Sequence, residues 1–413
     1  MGKPRIGHLA ALSRACLIFG VLCGCGCRPD VPPRVSTLTP PPEYEPVSNS
    51  PNAFDAYALA AKEVEQEDPH QLTQVSFFPG QKDTAIKRCA VQVKEVERAT
   101  EMACRFNFVP RPPFHAPPYQ AGWRLLGHVM RWQIDDACAK ANWDSAIETT
   151  VCATKFGFDL TGGGPTDASL GLAIVDDART AIAPFLAKMG AGQLQRLADG
   201  IEDDLTRKPP ITEAVGHNAE NIKLAVAKLE QSAASGTFVE LTQNLGPEVK
   251  EAVDYLEGIR SNSAKLSDYF SQFEEEADAH TRYLMEVSPM PAALRGDPPK
   301  PTAKERPWKH FGRHFFLAAD PLLALNDQTL ARTRLLILNA ELIKAFKLKA
   351  AYPTSLAAFD PAIKTDPYTG ADFRYRSDGT DCSVYSVGAN LRDDGGETDE
   401  SFTTPDLKLE MKE

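Results

Sequence analysis

The chain of 413 residues is long enough for two or three domains and a sizeable buried core. With 43% hydrophobic and 24% charged residues it has ordinary globular composition, which excludes global disorder. A net charge of −11, without any run of three basic residues, excludes a nucleic-acid surface and argues against an anionic-lipid one, since both need a clustered basic face.

The amino terminus reads as an export signal. Lys3, Arg5 and Arg14 precede the apolar run Ala15–Cys23, and small residues follow. About ten apolar residues are too few for the ~20 that span a bilayer. Leu22-Cys23-Gly24-Cys25 resembles the bacterial lipobox, which implies cleavage after residue 24 and diacylation of Cys25; Cys27 is the second choice, and a plain signal peptide is the alternative. Two thioether-linked acyl chains plus an amide-linked one make a stable anchor. Residues 25–51 then form a proline-rich, non-periodic tether, the segment needed to hold a folded body away from a membrane. The expected location is therefore the cell envelope, lipid-anchored and facing the periplasm or the exterior.

Residues 52–290 read as an all-helical domain. Phe54, Tyr57, Ala58 and Ala61 recur at helical spacing, as do Ile86, Cys89, Val93, Val96 and Met102. Cys89 and Cys104 therefore read as small core residues. Export permits disulfides, but the pairing of the widely spaced cysteines stays open, and no CxxC or CxxH spacing suggests structural zinc. Gln120–Lys140 and Trp143–Leu160 form a helical hairpin, with Asp144 as the cap or in the first turn of its second helix. The hairpin and its Trp143-x-x-Ala146 resemble one tetratricopeptide-type unit. Gly162–Gly164 has no Gly-Lys-Ser/Thr after it, so it predicts a helix–helix turn and not a phosphate loop. Helical patterns continue over 193–204, 211–234, 247–260 and 263–287. The order of these segments resembles a group of exported bacterial helical-repeat lipoproteins, a likeness that implies no activity. Residues 291–310, rich in proline and charge, predict a linker between two separately folding parts.

Few constellations suggest chemistry. His310 and His314 share a helical face, but Phe311 stands where a zinc peptidase needs its glutamate. Glu276 and His280 fall in a segment best read as a solvated charged face. No GxSxG, SxxK or dinucleotide fingerprint occurs, and a non-enzyme is the expectation. The alternative is an exported hydrolase whose site is assembled across helices.

Residues 311–413 are the most specific part. An apolar stripe of Leu335, Leu338, Leu342 and Phe346 predicts an amphipathic helix from about Gln328 to Pro353, with Arg332, Arg334, Lys344 and Lys347 on its remaining surface. Two alternating runs, 372–376 and 382–387, flank Asp378-Gly379, a hairpin signal. Tyr352-Pro353, Asp366-Pro367-Tyr368, Phe373/Tyr375, Tyr385-Ser386-Val387-Gly388-Ala389-Asn390 and Gly395-Gly396-Glu397 follow in order. These motifs closely resemble the periplasmic domain of the major pseudopilins of type II secretion, over about the last 85 residues. The resemblance implies a small α+β domain after the mostly α part, an α+β chain in all. It also implies a calcium-binding loop, with Asn390, Asp393, Glu397 and Asp399 as ligand candidates beside backbone carbonyls. Asn390 stands where the family has aspartate, and one residue is inserted before the glycine pair; a solvated acidic loop is the competing reading. The first helix also lacks the long hydrophobic extension by which pseudopilins join filaments. The expected function is thus a non-enzymatic envelope lipoprotein that binds a protein partner of the envelope, with a link to type II secretion or pilus machinery.

Overall fold

The computed structural model describes residues 51–67, 82–106, 108–110, 119–237, 250–299, 320–396 and 406–409. These form twelve α-helices and one small sheet. The helices are α1 (Ala53–Glu67), α2 (Lys82–Arg88), α3 (Ala90–Ala99), α4 (Gln120–Ala139), α5 (Trp143–Leu160) and α6 (Pro165–Ile182). After a 3₁₀ turn come α7 (Ala191–Arg207), α8 (Ile211–Ser235), α9 (Lys250–Ile259), α10 (Ser263–Val287), α11 (Asp320–Lys349) and the short α12 (Pro361–Lys364). Strands β1 (Arg374–Ser377), β2 (Cys382–Ser386) and β3 (Leu407–Lys408) make an antiparallel sheet in the order β1-β2-β3. The chain is mostly α-helical with a small antiparallel sheet near its carboxy terminus, as the periodicities require. Cys25, Cys27 and the tether lie outside the described residues, as do His310 and His314. Among the described residues no helix is long and apolar enough to cross a membrane.

Local chemistry sets the helix ends. The Asn142 side chain caps α5 by accepting from the Ser145 amide at 3.5 Å, leaving Asp144 in the first turn. Ala141 takes φ +55°, which closes the α4–α5 turn. Pro165 opens α6, and the Asp167 carboxylate accepts the Gly164 amide at 3.1 Å, so Gly162–Gly164 is a helix–helix connection. The single helix expected through Cys89 is divided there into α2 and α3, and Met102 lies beyond the end of α3.

Packing proceeds in layers. Helix α1 lies on α3 and α4; α4 lies on α5 and α6; α5 also contacts α7. Trp123 of α4 is fully buried and donates its indole N–H to the Tyr57 carbonyl at 2.9 Å. Helices α5 and α6 meet at Gly157 and Gly171, where a Cβ on either would sit 2.5 or 2.2 Å from the other's carbonyl oxygen. Only glycine allows that backbone approach. Helices α8, α9 and α10 carry a second, smaller cluster around Val226, Leu229, Tyr269 and Phe273.

Helix α11 corrects two expectations. It begins at Asp320, well before Gln328, with Pro321 in the first turn, where a missing N–H costs nothing. It is also not a one-stripe helix. Leu335, Leu336, Ile337 and Leu338 are consecutive and all buried, because α6 and α7 cover one side while β2, β3 and α12 cover the other. Four of its five cations are engaged, Lys349 at the exposed carboxy-terminal end being the fifth. Arg332 pairs with Asp176 of α6 at 3.2 Å, Arg334 donates to the Thr365 carbonyl at 2.7 Å, and Lys347 donates to the Ala187 carbonyl at 3.0 Å. Lys344 reaches Glu341 at 2.5 Å and also bonds Gln195 of α7.

The predicted boundary at 291–310 does not separate two cores. One hydrophobic cluster runs from Ala53 to Leu409. The described part of the boundary is bonded directly to the carboxy-terminal elements. The amides of Ala292 and Ala293 donate to the carbonyls of Pro367 and Tyr368 at 3.1 and 2.8 Å. The Arg295 guanidinium forks onto Asp327 of α11 at 2.5 and 2.9 Å. Residues 300–310 lie outside the described residues, while 296–299 are exposed. Cleavage within 296–307 should therefore leave two fragments that co-elute on size exclusion and separate only in denaturant. Fragments that part under native conditions would show that the shared core contributes little. Gly171→Ala should lower stability by about 3 kcal/mol, read from chemical denaturation, because the added methyl overpacks a backbone contact.

Candidate functional site: carboxy-terminal carboxylates and a buried cleft

The carboxy-terminal loop is held from its base. Asp366 accepts the Tyr368 amide at 2.9 Å through Oδ1, and the Ser386 hydroxyl at 2.9 Å and Val387 amide at 3.3 Å through Oδ2. Burial pushes its carboxyl up, and these donors pull it back. The Asp-Pro-Tyr turn is thereby tied to the end of β2. Beyond it, the Asn390 side chain donates to Asp394 Oδ2 at 3.0 Å and accepts the Arg392 amide at 2.9 Å. Asp393 Oδ1 accepts the Tyr385 hydroxyl at 2.8 Å and the Gly395 amide at 3.1 Å, while Oδ2 faces the Arg374 Nε at 3.1 Å. The Tyr385 hydroxyl, with the Gly395 amide and nearby arginines, holds the Asp393 carboxyl below its usual range. Gly395 and Gly396 both have φ near +80°, and a Cβ at Gly396 would lie 2.9 Å from the Tyr385 ring. The glycine pair is thus required by backbone geometry and by the tyrosine beneath it.

Of the four ligand candidates, Asn390 and Asp393 are in place and already engaged by protein donors; Glu397 and Asp399 lie outside the described residues. Among the described residues no group of three or more His, Cys, Asp or Glu is arranged to hold a metal. Asp406, which the sequence did not single out, closes the loop. Its Oδ2 accepts the amides of Asp394 at 3.1 Å and Gly396 at 2.6 Å, and its buried Oδ1 has no hydrogen-bond partner. Burial pushes this carboxyl up despite the two amides. Its signal was the short alternation Leu407-Lys408-Leu409, which makes β3 and places Asp406 at the strand's start.

Among the described residues no cysteine is in a disulfide, and burial pushes the thiols of Cys138 and Cys382 to about 11 and of Cys152 to about 12. Cys104 is also raised well above its ordinary value by burial. Glu276 and His280 sit on α10, whose Phe273 and Ala277 point inward.

A second site carries no motif in the sequence. Between α5 and α7 lies an open cleft of about 410 Å³. Cys152, Lys155 and Asp204 form its deep part, with Val151 and Gly200 on the walls. Lys155, only 8% exposed, is ion-paired with Asp159, whose Oδ2 accepts the Tyr57 hydroxyl at 2.9 Å. Burial raises the Asp159 carboxyl, and Lys155 opposes the rise. Asp204 is 5% exposed, and its Oδ2 has no hydrogen-bond partner. Burial pushes its carboxyl to about 8; Lys155 and Arg207 pull down, Asp159 and Asp203 push up. A signal was nonetheless present in α5. Between Thr149 and Leu160 every residue except Val151 is buried, so the charged Lys155 and Asp159, four apart, had to meet inside.

No family model, curated protein or solved structure matches this chain.

The buried Lys155–Asp159 pair and the cleft's Asp204 can be tested through stability. Lys155→Met should cost about 3–5 kcal/mol in denaturant unfolding, because Asp159 is left buried without its counter-charge. Asp204 has a folded pKa of about 8, above its ordinary value of 3.8, so its contribution is fully present below pH 3.8 and lost as pH rises towards 8. Asp204→Asn should therefore raise Tm relative to the parent at pH 8 and leave the difference near its minimum at pH 4.

Proposed function

We propose that this protein is a non-enzymatic lipoprotein of the cell envelope, anchored through Cys25 and tethered by the proline-rich stretch. Its helical part, a tetratricopeptide-like scaffold, binds a protein partner of the envelope. Its carboxy-terminal part is a pseudopilin-like module used for docking, in contact with secretion or pilus machinery. One observation carries this reading. The apolar circumference of α11 is covered by α6 and α7 on one side and by the sheet on the other. A helix enclosed in that way has no free apolar face for a filament of its own kind, which supports a fixed module on a scaffold.

Calcium belongs to the same proposal. The unpartnered Oδ1 of Asp406, beside a loop whose carboxylates include Asp393 and Asp394, is the kind of oxygen a hard cation takes up. Asp406 would hold the ion together with Glu397, Asp399 and backbone carbonyls, with Asn390 and Asp393 shaping the loop. The ion's chemistry here is ordering, not catalysis.

The anchoring test is a Cys25→Ser change. It should move the protein from the detergent to the aqueous phase and remove label from a fatty-acid precursor. Retained label and membrane association would overturn the assignment of Cys25. For the loop, Tm of the whole chain should rise with millimolar Ca²⁺, by the equivalent of about 2.7 kcal/mol at a hundredfold excess over Kd. Mg²⁺ at equal ionic strength should have little effect, and Asp406→Asn combined with Asp399→Ala should remove the shift. Equal effects of the two ions would reduce the loop to a solvated acidic segment.

A further inference from the structure

The cleft between α5 and α7 has a charge balance that specifies its occupant. Three cations line it, and each already has a carboxylate. Lys155 is paired with Asp159, Arg196 with Asp144, and Arg207 with Asp203 at 2.9 Å. Two acids on the cleft have no such partner among the described residues: Glu148 at the exposed rim and Asp204 on the floor. Glu97 on α3 adds further negative charge, since it bears electrostatically on Cys152 and is itself raised in part by Glu148. An anion entering here would displace three existing ion pairs. A cation would meet two unpaired acids.

The walls limit what kind of cation. Ile147 and Val151 line the cleft from α5, and Val151 packs directly on the Gly200 backbone of α7, where a Cβ would lie only 2.7 Å from it. This apolar wall, with an acid at the rim and an acid at the floor, suits an alkyl stem with an ammonium end. Among the described residues no acid cluster is arranged for a metal ion.

We propose that this cleft binds a small primary alkylamine, with its ammonium group on Asp204, its alkyl chain along Ile147 and Val151, and a second ammonium, where the ligand has one, at Glu148. The amine supplies the ion-pair partner that the Asp204 carboxyl lacks among the described residues, an interaction of the strong, charge-assisted class. The groups facing Asp204 are Lys155 and Asp159 from α5 and Asp203 and Arg207 from α7, so its carboxyl is mostly protonated at neutral pH in the empty cleft. Ammonium binding therefore expels a proton from Asp204.

The probe is 1,5-diaminopentane, titrated into the whole chain by calorimetry at pH 7 in buffers of different ionisation enthalpy. Saturable 1:1 binding is expected, with release of close to one proton. Asp204→Asn, nearly isosteric, should weaken binding tenfold or more and abolish the proton release, while Glu148→Gln should weaken it severalfold. Lys223→Gln and Asp278→Asn, a surface pair on α8 and α10, should leave it unchanged. Circular dichroism and Tm establish that each variant is folded; should Asp204→Asn fail to fold, Asp204→Glu takes its place and must alter affinity and proton release. Pentanoate or pentan-1-ol binding as tightly as the diamine would overturn the proposal. So would Ca²⁺ competing for the same heat, binding unchanged in Asp204→Asn, or no heat at about 10 mM diamine, a concentration that nearly saturates even a site with a Kd of ~1 mM.

Discussion

A helix segment buried on every side cannot rest on a surface, and the middle of α11 is such a segment. The consecutive buried residues Leu335–Leu338 project around its whole circumference, so it is stable only when covered from both sides. Each such aliphatic side chain contributes roughly 1.5–3 kcal/mol when removed from water. The covers come from distant parts of the chain: α6 and α7 before it, β2 and β3 after it. The helical layers and the small sheet are consequently one cooperative structure. Of the cations that a half-exposed helix would leave in solvent, Arg332 ends instead on Asp176, Lys344 on Glu341 of the same helix, and Arg334 and Lys347 on main-chain carbonyls.

The same need to enclose charge recurs in α5. The glycine contact with α6 brings two backbones together on one side of the helix, and on another side the Lys155–Asp159–Tyr57 chain closes its hydrogen bonds internally. A buried pair of this kind is stable only when every remaining donor and acceptor is met. Asp159 meets that condition and Asp204 does not. The contrast between two acids in one neighbourhood separates the part of the interior that is finished from the part that opens onto a cleft.

Much of the architecture was legible in the sequence. The helical hairpin at 120–160, the glycine connection into α6, and the Asp378-Gly379 hairpin all arise from local periodicity and turn chemistry, which act within a few residues. What failed was whatever depended on distant partners. A central helix and a surface helix share the same leucine spacing at 335, 338 and 342, and only the neighbours tell them apart. The alternation Leu407-Lys408-Leu409 behind β3 spans only three residues, too few to stand out against chance, so Asp406 went unread with it. Of the proline- and charge-rich stretch 291–310, the described part 291–299 follows an irregular path without a break in packing, and the Arg295–Asp327 fork lies outside any local rule. Lys155 and Asp159 could have been found, since charges set in a segment apolar on both faces have nowhere to go but inward.

The Arg295–Asp327 fork also has a topological consequence. With its carboxylate and guanidinium nearly sealed from water, it fastens the chain just after α10 to a point two turns into α11, and the 3₁₀ segment at Ala292–Leu294 is held beside the Pro367–Tyr368 turn. These contacts fix where the described residues 296–299 leave the body and where α11 begins, and they do not depend on the length of chain between. Closure entropy grows only with the logarithm of length, about 0.6 kcal/mol for each doubling. Sequence inserted at the exposed residues 296–299 would thus leave the joining of the two ends unaltered, and its cost in closure entropy would stay small.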